Sequence, residues 1–368
     1  MVTQRKIRVL LINSYSFDTI FANWSKGENP SHFLMGKIEL EESGDFVVDI
    51  LKHEKYRWLN RLGSLLRIPF LDQQVRTLLS VNRYDLLYLP YPLANSRLLS
   101  LLKWMKLLPI PIVVLGHQGF QYYDDKDTFF NRLLKKGYQQ FDHYAFFSRK
   151  LLEKTQIDLD FSSDSARERF HYVHWGPDRK FYQRLSATKT SPNDRPFAVC
   201  AGTVDRDYDM LIAAFSNVGE QLRIFCTEKG VSSSKELPSN VFVDNSWVPY
   251  PVLMEEYRAS SFVIIPIRDD IKNRGNTFGL TVLNDCIAMG KPVLMTYHPY
   301  IDIDIEKENI GLWVKDNTVK GWETALNRMF GLSGSFDLME KNARQLYHTR
   351  YHSGVFGQEM AEIFRKAI

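Results

Sequence analysis

Short apolar runs alternate with longer amphipathic stretches along almost the whole chain. In the first half the apolar runs are Lys6–Ile12, Phe46–Leu51, Leu86–Pro90, Ile110–Leu115 and His143–Phe147, and they read as strands. Residues 31–42, 58–82, 93–107 and 128–140 lie between them and read as helices. Residues 170–175 form one more strand, ended by Gly176-Pro177-Asp178. Strands and helices in alternation predict a parallel, doubly wound α/β sheet.

The stretch from Leu185 to Pro196 is polar, carries two prolines and reads as an interdomain linker. A second alternation follows it. Its strands are Phe197–Ala201, Leu222–Cys226, Val241–Asp244, Phe262–Pro266, Val293–Thr296 and Gly311–Val314; its helices are 207–216, 250–259, 277–289 and 319–330. Residues 354–368 form a last amphipathic helix. The expected organisation is two Rossmann-like domains, residues 1–185 and 196–350, facing a cleft. Ligands in such sheets bind beyond the carboxyl ends of the strands.

At 368 residues the chain suits two domains rather than one. Its three cysteines, Cys200, Cys226 and Cys286, are far apart and show no CxxC spacing, which fits a reducing compartment and buried thiols. No apolar run approaches the length of a spanning helix, so a cytoplasmic protein is expected. The charge is uneven. Residues 1–190 hold 28 Lys and Arg against 20 Asp and Glu, and the excess is densest in residues 51–110, with 10 basic and 3 acidic side chains. Such asymmetry bears on partners rather than on fold.

Residues 276–293 carry the most specific chemistry. Gly275 and Gly279 flank a predicted helix start, Asp285 lies about two turns in, Gly290 stops the helix, and Pro292-Val293-Leu294-Met295 reads as a buried strand. A glycine-flanked helix N-terminus offers free N–H groups and about +0.5 charge to a phosphate. An acid further along accepts hydrogen bonds from sugar hydroxyls. Together these suit a nucleotide-sugar.

This stretch resembles the donor-site helix of GT-B glycosyltransferases, near glycosyltransferase family 4. The family pattern is Glu, seven residues, Glu, then a Gly-Lys-Pro-Val-like end. Counted back from Gly290-Lys291-Pro292-Val293, Asp285 falls on the second acid, which implies a ribose ligand. The first acid falls on Thr277, or on Asn276 if the loop is one residue longer; Phe278 and Gly279 complete the helix tip. In the segment from Gly202 to Ile212, Arg206 falls on the family's lysine, which implies a contact to the donor diphosphate. Thr203 stands where the family has arginine, and Lys272 and Arg274 are candidates to replace that charge. In GT-B enzymes the final helix crosses back onto the N-terminal domain, and residues 354–368 are expected to do so.

In the first half, His117 follows a buried strand between two glycines, and family members often place a His there. It is the candidate catalytic residue, either hydrogen-bonding a sugar hydroxyl or orienting the acceptor. Ser14, after the first strand, and His32, at a helix start beside that loop, are candidate acceptor or cleft residues. Trp175-Gly176-Pro177-Asp178 with Phe181 resembles a structural turn of the family.

The expected activity is transfer of a sugar from a UDP- or GDP-sugar to a glycan or lipid-linked acceptor. The resemblance implies retention of configuration. The helix dipole with Arg206, Lys272 and Arg274 would stabilise the leaving diphosphate without metal, and no cofactor is expected. Arg57, Trp58, Arg61 and Arg67, with a second segment around Lys103, Trp104 and Lys106, make basic amphipathic helices suited to an anionic membrane surface at the inner face. The competing reading is a catalytically silent GT-B-like binding or scaffold module, sustained by the departures at Thr277 or Asn276 and at Thr203. A dinucleotide oxidoreductase lacks its glycine fingerprint after the first strand. The spread of basic residues and the net charge of +4 do not favour nucleic acid.

Overall fold

The computed structural model describes residues 5–120, 128–186, 196–202, 205–227, 230–231, 236–272 and 275–368. They form two compact units. One comprises residues up to Gly27, Ser31–Trp175 and Ser353–Ile368; the other comprises Glu28–Pro30 and Gly176–His352.

The first unit is built on strands β1 (Ile7–Leu11), β2 (Phe46–Ile50), β3 (Leu86–Pro90), β4 (Ile112–Gly116), β5 (His143–Phe146) and β6 (Phe170–Tyr172). They form one parallel sheet in the order β2-β1-β3-β4-β5-β6. Every residue of β3 and β4 is buried. Helices cover both faces of such a sheet, so its central strands must be apolar throughout rather than alternating. The terminal helix Ser353–Ala367 belongs to this unit. Its Phe364 is fully buried, edge-on to Tyr88 at 5.1 Å and to Phe46 at 6.0 Å. Glu359 of the same helix holds the backbone N–H of His174 at 2.7 Å.

The second unit repeats the plan with β7 (Phe197–Ala201), β8 (Gln221–Phe225), β9 (Val241–Asp244), β10 (Phe262–Ile265), β11 (Val293–Thr296) and β12 (Gly311–Val314). The sheet order is β12-β11-β10-β7-β8-β9, again all parallel. Its core packs Phe215, Ile264, Leu294, Trp322 and Leu326 around the sheet. The fold is therefore the expected pair of Rossmann-like sheets.

Several predicted helices are broken. The 31–42 stretch splits into a 3-10 turn, Ser31–Leu34, and a helix, Lys37–Glu42, around Met35 at φ 49°. The 58–82 stretch splits into Arg57–Leu65 and Leu71–Ser80. Pro69 supplies no N–H and disfavours a helical residue before it, and Arg67 and Phe70 turn left-handed around it. Unpredicted helices include Phe17–Ser25, Arg149–Asp158, Arg179–Ser186 and Phe336–Thr349. Arg149–Asp158 buries only Leu151 and Thr155, which leaves little apolar period to read. Phe336–Thr349 buries Met339, Ala343, Leu346 and Tyr347 at helical spacing, so its pattern was legible. Most of the polar stretch read as a linker lies outside the described residues.

Candidate functional site

In the second unit the strand order reverses direction between β7 and β10, because β8 and β9 extend to one side of β7 and β10 to β12 to the other. Open α/β sheets leave a crevice at the carboxyl ends of such a pair. Arg206, in the segment after β7, forms an antiparallel bridge with Ile267, just after β10. Asp207 N–H donates to the Pro266 carbonyl at 2.9 Å and fixes the two segments together. A concavity of about 610 Å³ opens here, lined by Arg206, Asp209, Gly230, Arg268, Asp270 and Asn317 among others.

Local chemistry holds Arg206 in place. Gly202 has φ 153°, and a Cβ there would stand 3.0 Å from the Arg206 Nε, so the guanidinium lies against bare backbone. The Tyr208 hydroxyl closes the turn on the Gly202 carbonyl at 2.6 Å. Asp207 caps the helix Tyr208–Phe215 by accepting from Met210 N–H. Across the crevice, Asn317 donates to the Ile267 carbonyl at 3.2 Å and to Asp269 at 3.0 Å, and Trp322 Nε1 donates to Asn317 Oδ1 at 2.8 Å. Arg268 is paired with Asp270. Asn317, Arg268 and Asp209 carry no motif, because two separate loops and the first turn of the helix Tyr208–Phe215 bring them together.

The helix following this crevice runs Leu280–Met289, three residues shorter at its start than expected. Asn276 Oδ1 accepts from Phe278 N–H at 3.0 Å, so residues 276–278 form a side-chain-closed turn ahead of the helix. Gly279 is the N-cap at φ 92°. A Cβ there would meet Met295 Cε at 2.8 Å and Ile265 Cγ2 at 3.2 Å, so the position needs glycine for conformation and for space. Asn276 and Thr277 are buried. Gly290 ends the helix at φ 68°, as its place in the pattern predicts. Lys272 closes the short helix Asp269–Lys272. Arg274 lies outside the described residues.

Asp285 is not the open carboxylate that a sugar-binding acid would present. It is 2% exposed, and its Oδ1 accepts from the hydroxyls of both Tyr182 and Tyr250, each at 2.6 Å. The two phenol oxygens are themselves 2.7 Å apart. Burial lifts the Asp285 carboxyl from 3.8 to about 7, opposed by the two phenols. Tyr182 and Tyr250 are pushed well above the usual phenol range by burial and by the Asp285 charge. Oδ2 takes no hydrogen bond among the described residues. Asp178 delivers Tyr182: its Oδ1 accepts from Lys180 and Phe181 N–H and starts the helix Arg179–Ser186. The Gly176-Pro177-Asp178 turn is thus a helix cap.

The first unit has its own switch point, between β1 and β3. Asn13, Ser14 and Tyr15 follow β1, Tyr91 follows β3 in a left-handed conformation at φ 66°, and His117 follows β4. The His117 ring meets Tyr91 edge-on at 4.0 Å, and Tyr91 meets Tyr15 at 5.4 Å. Burial lowers the His117 pKa to about 3, so its imidazole is neutral. Asn13 is 3% exposed, two residues before Tyr15 in the chain. Ser14 is half-buried beside it. His32 is elsewhere: fully buried, edge-on to Trp175 at 5.6 Å, with its carbonyl accepting from Trp175 Nε1. That is a core packing position, which takes His32 out of the candidate set. Tyr15, Tyr91 and Asn13 escaped the sequence reading because aromatic and amide residues at strand ends carry no motif.

No protein-family model matches the chain, and no curated protein does. Solved structures do. The chain is similar to Anabaena HepE in complex with UDP, at 14% identity and a TM-score of 0.65, over 98% of this chain and 100% of that one. It is similar to sucrose-phosphate synthase from Thermosynechococcus elongatus, at 13% identity and a TM-score of 0.66, over 98% and 99%. WaaG, described as a glycosyltransferase involved in lipopolysaccharide biosynthesis, matches at 14% identity and a TM-score of 0.60, over 97% and 99%. Identities this low speak to the fold alone. On the topology of both sheets and these full-length likenesses, the chain has the GT-B fold.

Proposed function

We propose that this chain is a glycosyltransferase that moves a sugar from a nucleotide-diphosphate sugar, a UDP- or GDP-sugar, to a glycan or lipid-linked acceptor. The observation that carries the reading is the crevice at the β7–β10 switch point, with Arg206 clamped at its edge, on a fold shared with HepE, which has been solved with UDP and with UDP-glucose. Arg206 pairs with the diphosphate. The turn Asn276–Gly279 and the first turn of the helix Leu280–Met289 offer backbone N–H groups and a favourable dipole to the same phosphates. Lys272 and Arg274 are the sequence's candidates for further charge on the diphosphate. These groups stabilise the leaving diphosphate without metal, and transfer retains configuration. In the first unit, neutral His117 hydrogen-bonds a sugar hydroxyl or orients the acceptor, with Ser14 and Asn13 beside it. For a ribose, Asp285 has its Oδ2 to offer.

Calorimetric titration with UDP, GDP, ADP and NAD, without metal and with magnesium, tests the reading. Metal-independent binding of UDP or GDP is the expected result. Binding of NAD alone would overturn it.

A second reading, a catalytically silent binding module, is favoured by one observation: Asp285 is engaged by two tyrosines rather than open to a ligand. Turnover separates the two. A module that binds UDP yet neither hydrolyses nor transfers from any UDP- or GDP-sugar is silent.

The peripheral membrane reading is supported by the helix Arg57–Leu65. Trp58 and Leu65 are 64% and 82% exposed, next to exposed Arg57 and Arg61. This mixture suits an anionic lipid surface. Among the described residues no helix is long and apolar enough to cross a membrane. Flotation with anionic vesicles, compared for wild type and Trp58→Ser/Leu65→Ser, is the check.

A further inference from the structure

The first unit has a second concavity, at the edge of its sheet opposite His117. It lies before β4, β5 and β6, where Leu108 and Pro109, Gln140 to His143, and Arg169 come together, and it measures about 630 Å³. A five-residue strand separates the two edges by about 15 Å. The pocket is therefore distinct from the switch-point crevice of this sheet.

Its charge is one-sided. Lys103, Lys106, Arg169 and Lys366 line it, with Asp142 as the only carboxylate among the lining residues. Asp142 is already neutralised: Lys103 Nζ lies 2.9 Å from its Oδ2, which also accepts from Ile112 N–H. Three cations remain for a ligand. Arg169 is pinned, with Nη2 donating to the Gln139 and Phe141 carbonyls at 2.7 and 2.6 Å and the guanidinium stacked near Tyr144 and Phe161. Nη2 also donates to the Tyr144 hydroxyl at 3.1 Å, while Nη1 donates to none of the described residues. A pre-positioned guanidinium with donors to spare suits a tetrahedral oxyanion. His143 lines the wall, with its Nδ1 taken up by His171 Nε2 at 2.9 Å.

The rim is apolar. Trp104, Met105 and Leu107 are exposed on either side of Lys106, and Lys136 sits over the Trp104 ring at 6.0 Å. Lys106 itself takes the left-handed conformation, φ 59°, which turns the chain sharply at the pocket mouth.

We propose that this pocket is a binding site for a phosphate group, held by Arg169, Lys106 and Lys366. The exposed apolar residues beside Lys106 together with the cationic pocket match the phosphate of a lipid head group with its acyl chains outside, and the pocket alone matches a free phosphate monoester. This site is independent of the sugar-transfer reading.

The test uses the full chain. Inorganic phosphate and glycerol 3-phosphate are titrated by calorimetry, and vesicles of phosphatidylcholine with and without phosphatidylglycerol are used for co-sedimentation. The variant is Lys106→Asn/Lys366→Gln: both side chains are exposed, and Asn tolerates the left-handed backbone at 106. Lys315→Gln/Lys320→Gln removes the same charge from exposed positions of the second unit. The expected result is binding of at least one probe, weakened tenfold or more in the first variant and unchanged in the second. Binding of the soluble probes identifies a free phosphate, and binding of anionic vesicles alone identifies a head group; both support the site. Failure of wild type to bind either probe, or equal weakening in both variants, overturns it. UDP and GDP titrations of the same variants are expected to be unaffected, so failure here leaves the transferase proposal standing.

Discussion

The Tyr182 hydroxyl donates to Asp285 Oδ1 across 2.6 Å, joining a helix that begins the second unit to the helix Leu280–Met289. With Tyr250 it makes a closed trio of oxygens inside the core. Removing one phenol leaves Asp285 under-satisfied in a dry site. Tyr182→Phe and Tyr250→Phe are each expected to cost about 1.5–3 kcal/mol, the range for hydrogen bonds to charged groups. The pair is expected to be non-additive, because both act on one oxygen. Urea denaturation of the two single variants and the double variant at pH about 8 checks this.

The same carboxyl sets a pH dependence. Its pKa is raised on folding, from 3.8 to about 7. The folded state holds the proton more tightly, so this stability is fully present below pH about 3.8 and is lost as pH rises through about 7. Relative to Asp285→Asn, wild type should lose stability over that window, on the order of a few kcal/mol in total. Parallel denaturation curves for the two proteins at pH about 5 and about 8 measure it. An unchanged difference would place the carboxyl pKa outside the window.

Gly279→Ala is expected to destabilise the protein by at least about 1–2 kcal/mol, the cost of a left-handed L-residue, with further crowding against Met295. Gly331 in the helix Val319–Gly331 has open space around its Cα. Gly331→Ala should be neutral or stabilising by up to about 1 kcal/mol. Thermal denaturation of the pair separates a required glycine from an incidental one.

Arg206→Ala is expected to weaken binding of UDP or GDP at least tenfold, as loss of a charge-assisted contact to the diphosphate. Arg206→Lys should recover only part, since it keeps charge but loses the fork. Calorimetry on the three proteins decides between a diphosphate ligand and a surface ion pair, for which affinity would not change.

His117 is held neutral by burial, with a pKa of about 3. Its ring resonances should not titrate between pH about 5 and about 8, the window in which an ordinary His changes charge. Any inflection of an activity profile in that window then belongs to another group. An NMR titration of the ring, assigned through His117→Gln, reports this directly.

The apolar pattern alone determined both sheets, because a parallel strand buried on two faces must be apolar throughout and so stands out from its helices. β3, β9, β11 and β12 lie where the pattern put them. Gly279 and Gly290 marked the helix they bound, since a positive φ leaves few residue choices. Tertiary structure decided what the polar residues do. Asp285 read as a ligand by its spacing, but Tyr182 and Tyr250 reach it from 103 and 35 positions away, and no local pattern encodes such partners. His117 after a strand and His32 at a helix start were both lone histidines in the sequence; packing buried His32 against Trp175 and set His117 at the β4 edge beside Tyr91. The basic pocket before β4 to β6 is a meeting of loops and helix ends from separate parts of the chain. Hydrophobic burial acts on every residue of an element and leaves a period in the sequence. A hydrogen bond or a charge cluster is satisfied by one partner from anywhere in the chain, and only the fold says which.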